Sequence, residues 1–263
     1  MKIVVLVKQV PDSTEITVDK KTGTLVRDGV PSIINPDDLA GLEAALELKD
    51  ANPDVKVTVV SMGPPQAKGM LQETIARGAD DAYLITDRRL GGADTCATSR
   101  TLAAALKKIG FDLIIAGRQA IDGDTAQVGP QTAERLVLPQ ITYVDQIIEL
   151  TPEKITVKKA LEEEEQILTS KMPCVLTTLS GMNKPRYMNC VDIVDSFDKP
   201  VNIMTFDDLD LDLSVVGLAG SPTKVHATFT KEVSAETKTY ELSAQETAEL
   251  IAKTLKEKQL ITK

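Results

Sequence analysis

The sequence predicts an α/β protein with a doubly wound, mostly parallel sheet, and three observations carry that expectation. Near-continuous apolar runs of strand length occupy residues 2–7, 55–61, 82–86 and 112–116, helical patterns separate them, and glycine-bearing loops follow several of the runs. Unbroken apolar strands suit a parallel sheet, because helices cover both of its faces. After the first run, residues 14–18 and 24–26 alternate around the turn-rich stretch 19–23, which predicts an inserted β-hairpin. The first helix has Asn35 as its cap, Pro36 in the first turn, Asp37 and Asp38 at the positive end, and Leu39, Leu42 and Leu46 on one face. The second spans about 65–77 and stops at Gly78, and the third about 93–109 and stops at Gly110.

Past Leu138-Pro139 the pattern changes to consecutive strands at 141–149, 154–160, 165–170 and 174–178, partly antiparallel and completing or flanking the sheet. The run Glu162-Glu163-Glu164-Glu165 reads as a solvated turn. From Asp207 the regularity fades, and Leu209–Leu213 with Gly217-Leu218-Ala219-Gly220-Ser221-Pro222 has the look of a linker or extended arm. Ser243 and Glu246 form a capping box ahead of the stripe Ala244, Ala248, Ile251 and Leu255. The expected organisation is a nucleotide-binding α/β domain over residues 1–225, then a C-terminal arm and amphipathic helix over 226–263.

Composition narrows the function. The chain has 263 residues, a net charge of −9, four Tyr, four Phe and no Trp, which disfavours a nucleic-acid surface for lack of both cations and stacking faces. No apolar run approaches the roughly 20 residues of a membrane span, and the first run meets Lys8 too soon for a signal peptide, so a cytoplasmic protein is expected. Cys96, Cys174 and Cys190 lie far apart and His226 is the only histidine, so neither a metal site nor a Cys/His nucleophile can be assembled. Redox chemistry would have to come from a bound cofactor.

In an open parallel sheet the ligand lies beyond the carboxyl ends of the strands, where strand order reverses. The candidates are Lys8-Gln9-Val10-Pro11, Met62-Gly63-Pro64-Pro65, residues 87–95 and residues 117–130. Pro130 places a helix start near Gly129 and leaves a long loop before it. Gly117, Gly123 and Gly129 are expected to let backbone approach a ligand, Thr125 and Gln127 add phosphate donors, and Asp122 and Asp124 suit ribose hydroxyls or backbone turns. Gly91-Gly92-Ala93-Asp94-Thr95 is a second strand-to-helix junction, with Ser99 as a further donor and Arg88 and Arg89 before it. There Asp94 either caps the helix or holds a ribose. Neither G-x-G-x-x-G nor a Walker loop occurs.

Together these segments resemble the β subunit of an electron transfer flavoprotein. The resemblance rests on Val7-Lys8-Gln9-Val10-Pro11-Asp12, Ile34-Asn35-Pro36-Asp37-Asp38, Ser61-Met62-Gly63-Pro64, Arg77-Gly78-Ala79-Asp80, Gly117-Arg118-Gln119-Ala120-Ile121-Asp122-Gly123-Asp124 with Gln127-Val128-Gly129, and Asn183-Lys184-Pro185-Arg186-Tyr187. It implies an adenine-nucleotide-hydrolase-like sheet without hydrolase activity, in a heterodimer with an α subunit; the C-terminal helix is expected either to fold back on its own domain or to dock on that partner. Respiratory members hold AMP in this subunit while FAD sits mostly on the α subunit. Bifurcating members bind FAD here and accept NADH, sending one electron to a low-potential carrier such as ferredoxin or flavodoxin and one to a flavin dehydrogenase of acyl-CoA or lactate type.

Residues 91–95 and Gly220-Ser221-Pro222-Thr223 resemble the bifurcating branch, and the acidic stretch 188–195, with Cys190 in place of an anchoring leucine, departs from the respiratory pattern. Carried over by resemblance, the nucleotide contacts are Leu6, Asn35, Pro36, Asp37, Asp38, Met62, Arg118, Gln119, Ala120, Ile121, Asp122, Gly123, Asp124, Thr125, Ala126, Gln127, Val128 and Gly129. Lys8, Gln9 and Gly63 share the crevice by position, and Gly91, Gly92, Asp94 and Thr95 are the expected NADH or phosphate junction. Arg118, or an arginine of the other subunit, is the candidate for tuning a flavin by charge.

Overall fold

A computed structural model of the chain describes residues 1–12, 31–226 and 238–261. The chain divides into two compact units, Met1–Ala227 and Thr228–Lys263. In the first, the leading strands are β1 (Lys2–Leu6), β2 (Gln9–Pro11) and β3 (Ser32–Ile34), followed by α1 (Pro36–Ala51), β4 (Lys56–Met62), α2 (Ala67–Ala76) and β5 (Asp81–Ile85). Then come α3 (Thr95–Ile109), β6 (Leu113–Gly117), α4 (Val128–Leu136), β7 (Gln140–Leu150), β8 (Lys154–Ala160), β9 (Glu165–Lys171), β10 (Cys174–Thr178), α5 (Cys190–Ser196) and β11 (Val201–Met204). Nine strands make one sheet in the order β11-β5-β4-β1-β6-β10-β7-β8-β9, and β2 pairs with β3 in a separate antiparallel ribbon. The predicted hairpin over 14–26 lies outside the described residues.

The sheet is parallel from β11 to β7 and antiparallel only through β8 and β9. Strand order reverses between β1 and β6, with β4 and β5 on one side of that point. Helices α1 and α2 cover one face, packing Leu42, Leu46, Met70 and Leu71 on Ile3, Val5, Val59 and Ile115. On the other face α3 and α4 pack Leu102, Leu106 and Ala133 on Val4, Val60 and Ile114.

The structure places one strand, corrects one expectation and adds two short elements. The strand at 174–178 completes the sheet rather than flanking it: it inserts between β6 and β7, parallel to both. All five of its residues are buried, so only an interior position covers both of its faces, whereas β7 to β9 carry alternating side chains that tolerate solvent on one face. Residues 206–221 are not a linker. Leu209, Val216 and Ser221 are buried, and the Leu218 N–H donates to the Gly91 carbonyl at 3.0 Å, which folds this segment over the entrance to α3. The short elements α5 and β11 carry too little apolar periodicity to be read from the sequence.

In the second unit α6 (Ala244–Glu257) starts at Ser243, whose hydroxyl accepts the Glu246 N–H while the Glu246 carboxylate accepts the Ser243 N–H, the expected capping box.

Among the described residues, one β-branched side chain sits on a left-handed backbone without compensating packing. Val137 ends α4 in the left-handed region at φ 56°, with its side chain 89% exposed. A β-branched residue is costly there and glycine is not. Val137→Gly is therefore expected to raise unfolding stability by about 1 kcal/mol in denaturant titrations; a loss of that size would show that the valine makes a contact worth more than its strain.

Candidate functional site

The crevice forms where β1 and β6 part. Backbone N–H groups at the parting strand ends lose their neighbours and must be satisfied otherwise. The first turn of α1 does this. The buried Asp38 carboxylate accepts the Lys8 N–H at 2.8 Å and the Gly117 N–H at 2.9 Å, and the Asp37 carboxylate accepts those of Ser180 at 2.9 Å and Gln119 at 3.3 Å. The Thr178 hydroxyl lies 3.0 Å from the Asp37 carbonyl and 3.2 Å from that of Ala116, tying β10 to the same point.

Asn35 does not cap α1 with its side chain. Its amide instead donates to the Gln119 carbonyl at 2.8 Å and accepts the Ile121 N–H at 3.1 Å, because a loop held only at its ends needs a partner in the middle. A further tie is the Lys8–Asp122 ion pair at 2.6 Å, and Asp124 accepts from the Gln119 amide at 2.8 Å. Asp37, Asp38, Asp122 and Asp124 are thus occupied in shaping the loop. Asp124 and Ala126 take left-handed φ values of 49° and 52°, turning the chain into α4.

Two of the three glycines expected to admit a ligand serve packing instead. A Cβ on Gly117 would lie 2.1 Å from the Asp38 carboxylate, and one on Gly129 would lie 2.6 Å from the Thr177 methyl. Only Gly123 faces open space. Gly92 has φ +70° and abuts Leu218, so its requirement is conformational.

The second junction is joined to the first. Thr95, the first residue of α3, donates its hydroxyl to the Gln127 amide oxygen at 2.8 Å, immediately before α4. Deeper along the two helices, buried Ser99 contacts Gln131 at 3.1 Å and Arg135 at 2.8 Å. The starts of α3 and α4 therefore lie side by side and open on one edge. Asp94 caps α3 by accepting the Ala97 N–H at 3.0 Å, and its second oxygen takes the N–H and hydroxyl of Thr223 at 2.9 and 2.8 Å. Burial alone would raise this carboxyl, but these donors outweigh it and hold it below the usual range. Ser221 accepts the Asp94 N–H at 2.8 Å, so the motif 220–223 rests on the junction 91–95. Arg89 is held by Asp87 and Asp207 and lies over Phe206.

Leu6 is buried at the end of β1 and Met62 is half-buried at the end of β4, one strand away. Gly63 donates to the Ile85 carbonyl at 3.1 Å, and Gln9 pairs with Ile34 in the small ribbon. Thr178 and Ser180 belong to the clamp and were not legible, since their role depends on β10 entering beside β6. Arg186 of the Asn183–Tyr187 motif is structural: its guanidinium grips buried Glu43 at 2.9 Å and Asp50 at 2.8 Å. Among the described residues no group of His, Cys, Asp and Glu is arranged to hold a metal ion, and no helix is long and apolar enough to cross a membrane.

Comparison with known proteins agrees with this architecture. Residues 22–209 match the electron transfer flavoprotein domain. The electron transfer flavoprotein subunit beta of Clostridium acetobutylicum is 51% identical over 99% of this chain and all of that protein. The caffeyl-CoA reductase-Etf complex subunit CarD of Acetobacterium woodii is 51% identical, covering 87% of each chain. The acryloyl-CoA reductase electron transfer subunit gamma of Anaerotignum propionicum is 44% identical, covering 88% of each.

The clamp has a pH signature. Burial pushes the Asp38 carboxyl up to about 7, against the lowering effect of Asn35 and the Lys8 and Gly117 N–H groups. Between about pH 4 and about pH 7 the folded chain then holds a proton that the unfolded chain has released, so this group's contribution to stability falls as pH rises through that window. Asp38→Asn cannot titrate. The stability of the parent relative to Asp38→Asn should decline by a few kcal/mol from about pH 4 to about pH 7, measured by denaturant titration at fixed ionic strength; parallel profiles would contradict the raised carboxyl.

Proposed function

This chain belongs to the electron transfer flavoprotein family, as a β subunit that works with an α subunit in a redox complex, and on that premise we propose that it binds FAD in the β1/β6 crevice and accepts hydride from NADH beside it. The observation that carries the reading is the Thr95–Gln127 hydrogen bond, which joins the two glycine-bearing junctions into one phosphate-suited edge. The residues fit a dinucleotide. The Arg118 Nε is buried with no hydrogen-bond partner, Thr125 and Gly123 are exposed on the loop, and two helix starts face the same edge.

In this reading residues 118–128 hold the adenine nucleotide half of FAD, with Gln127 and Thr95 at its phosphates, and residues 91–95 receive NADH. Bound FAD supplies the conversion between two-electron and one-electron transfer. The chain's own residues bind and orient: the α1 clamp fixes the loop, and the 206–221 segment holds the NADH junction rigid. The electrons divide between a ferredoxin or flavodoxin and a flavin-dependent dehydrogenase. Two relatives carry an acyl-CoA reductase in their names, which favours an acyl-CoA type of partner over a lactate type. Tyr187, Val191, Val194 and Phe197 are large apolar side chains left exposed around α5, and they suit that docking. The C-terminal helix, with its apolar stripe, is assigned to the α subunit.

Nucleotide released by acid from the purified heterodimer is expected to be FAD without AMP, and NADH should bleach the flavin absorbance under anaerobic conditions. AMP released with FAD, from a heterodimer inert to NADH, would replace this reading by one in which the subunit holds AMP structurally. Gly123→Val adds its side chain in open space, so the fold should persist with unchanged circular dichroism while nucleotide affinity falls at least tenfold. Full nucleotide loading in that variant would move the ligand off the 118–128 loop.

A further inference from the structure

Tyr143 is an anomaly in β7. It is a bulky residue at φ 60°, in the left-handed region, where the pairing of β7 with β10 shifts register. Such bulges turn a side chain away from the regular alternation of the strand. Here the Tyr143 ring meets Arg118 at the end of β6: the guanidinium carbon lies 5.5 Å from the ring centroid. The Lys159 ammonium lies 6.0 Å from the same ring, adding positive charge around it.

Arg118 itself is poised for an anion. Its guanidinium donates no hydrogen bond among the described residues, and its Nε is buried and unpartnered. Asp37 stands 3.6 Å from that Nε, close enough to attract it and too far to bond it, and its oxygens already accept the Gln119 and Ser180 N–H groups. The Nε is withdrawn from water without a hydrogen bond, which is costly, and a carboxylate or phosphate would complete the planar fork of donors beside it. The ring and Asp37 hold the group in place without consuming a donor.

We propose that Tyr143 is a positioning residue, whose ring aims the Arg118 guanidinium at a phosphate of the bound nucleotide. This rests on the nucleotide reading above and adds to it a residue outside the loop, on β7, with β10 between it and β6. The attraction is between the cation and the face of the ring, so the hydroxyl is dispensable.

The test is calorimetric titration of the nucleotide-stripped heterodimer with ADP. Tyr143→Leu should raise Kd about tenfold, equivalent to about 1.4 kcal/mol, while Tyr143→Phe stays within about twofold of the parent. In an Arg118→Met background, which itself binds ADP more weakly, Tyr143→Leu should cause no further loss, because the ring acts only through the guanidinium. Additive losses, or a Phe variant as weak as the Leu variant, overturn the proposal. Unchanged affinity in Tyr143→Leu, with the parent binding ADP, overturns it and leaves the nucleotide reading standing. A parent heterodimer that does not bind ADP overturns both.

Discussion

The parting of β1 from β6 leaves backbone N–H groups without sheet partners, and their capture by the first turn of α1 is the constraint on which the rest of the structure depends. Asp38 takes Lys8 and Gly117, Asp37 takes Gln119 and Ser180, and Asn35 grips the loop at Gln119 and Ile121. The helix N-terminus favours negative charge at this place, but burial outweighs it at Asp38, whose carboxyl is pushed up to about 7 beside Asp37. The approach is possible only because residue 117 has no side chain: any Cβ there would collide with Asp38. Sequence, strand spacing and loop shape are thus coupled through one glycine and one turn of helix.

From that clamp the candidate edge follows. The fixed loop delivers α4 beside α3, and the contact of Thr95 with Gln127 makes a single edge from two strand-to-helix junctions. The segment 206–221 closes the far side. Its Gly217 packs under the Arg89 carbonyl, and Ser221 and Thr223 lock Asp94. The acidic residues along this edge each have a named donor: backbone N–H groups for Asp37, Asp38 and Asp94, the Lys8 ammonium for Asp122 and the Gln119 amide for Asp124.

Much of the fold was legible in the sequence because its central strands are continuous apolar runs and its helices carry ordinary start and stop residues. Pro36 opens α1, Asp94 caps α3 and Gly110 ends it, as the pattern predicts. The placement of β10 was not legible, because nothing local distinguishes a buried strand that joins its chain neighbour from one that inserts two strands away. The candidate site was legible as a set of loops, and its inner logic was not. Asp37, Asp38, Asp94 and Asp122 read as possible ligand contacts, and the fold commits them to N–H groups, hydroxyls or Lys8. Gly129 read as a ligand approach, and Thr177 on the inserted strand is what it accommodates. Tyr143 gave no signal, since its backbone conformation depends on the bulge between β7 and its neighbours.

The central claim is that both junctions belong to one nucleotide edge. Amide hydrogen exchange of the heterodimer, stripped of nucleotide and then reloaded with FAD, tests it most directly. Protection is expected to rise together in the backbone amides of residues 118–128 and 93–96, with the interior strands β1 and β6 unchanged. Protection confined to 118–128, with 93–96 exchanging as before, would contradict the joined edge and leave the start of α3 outside the flavin site.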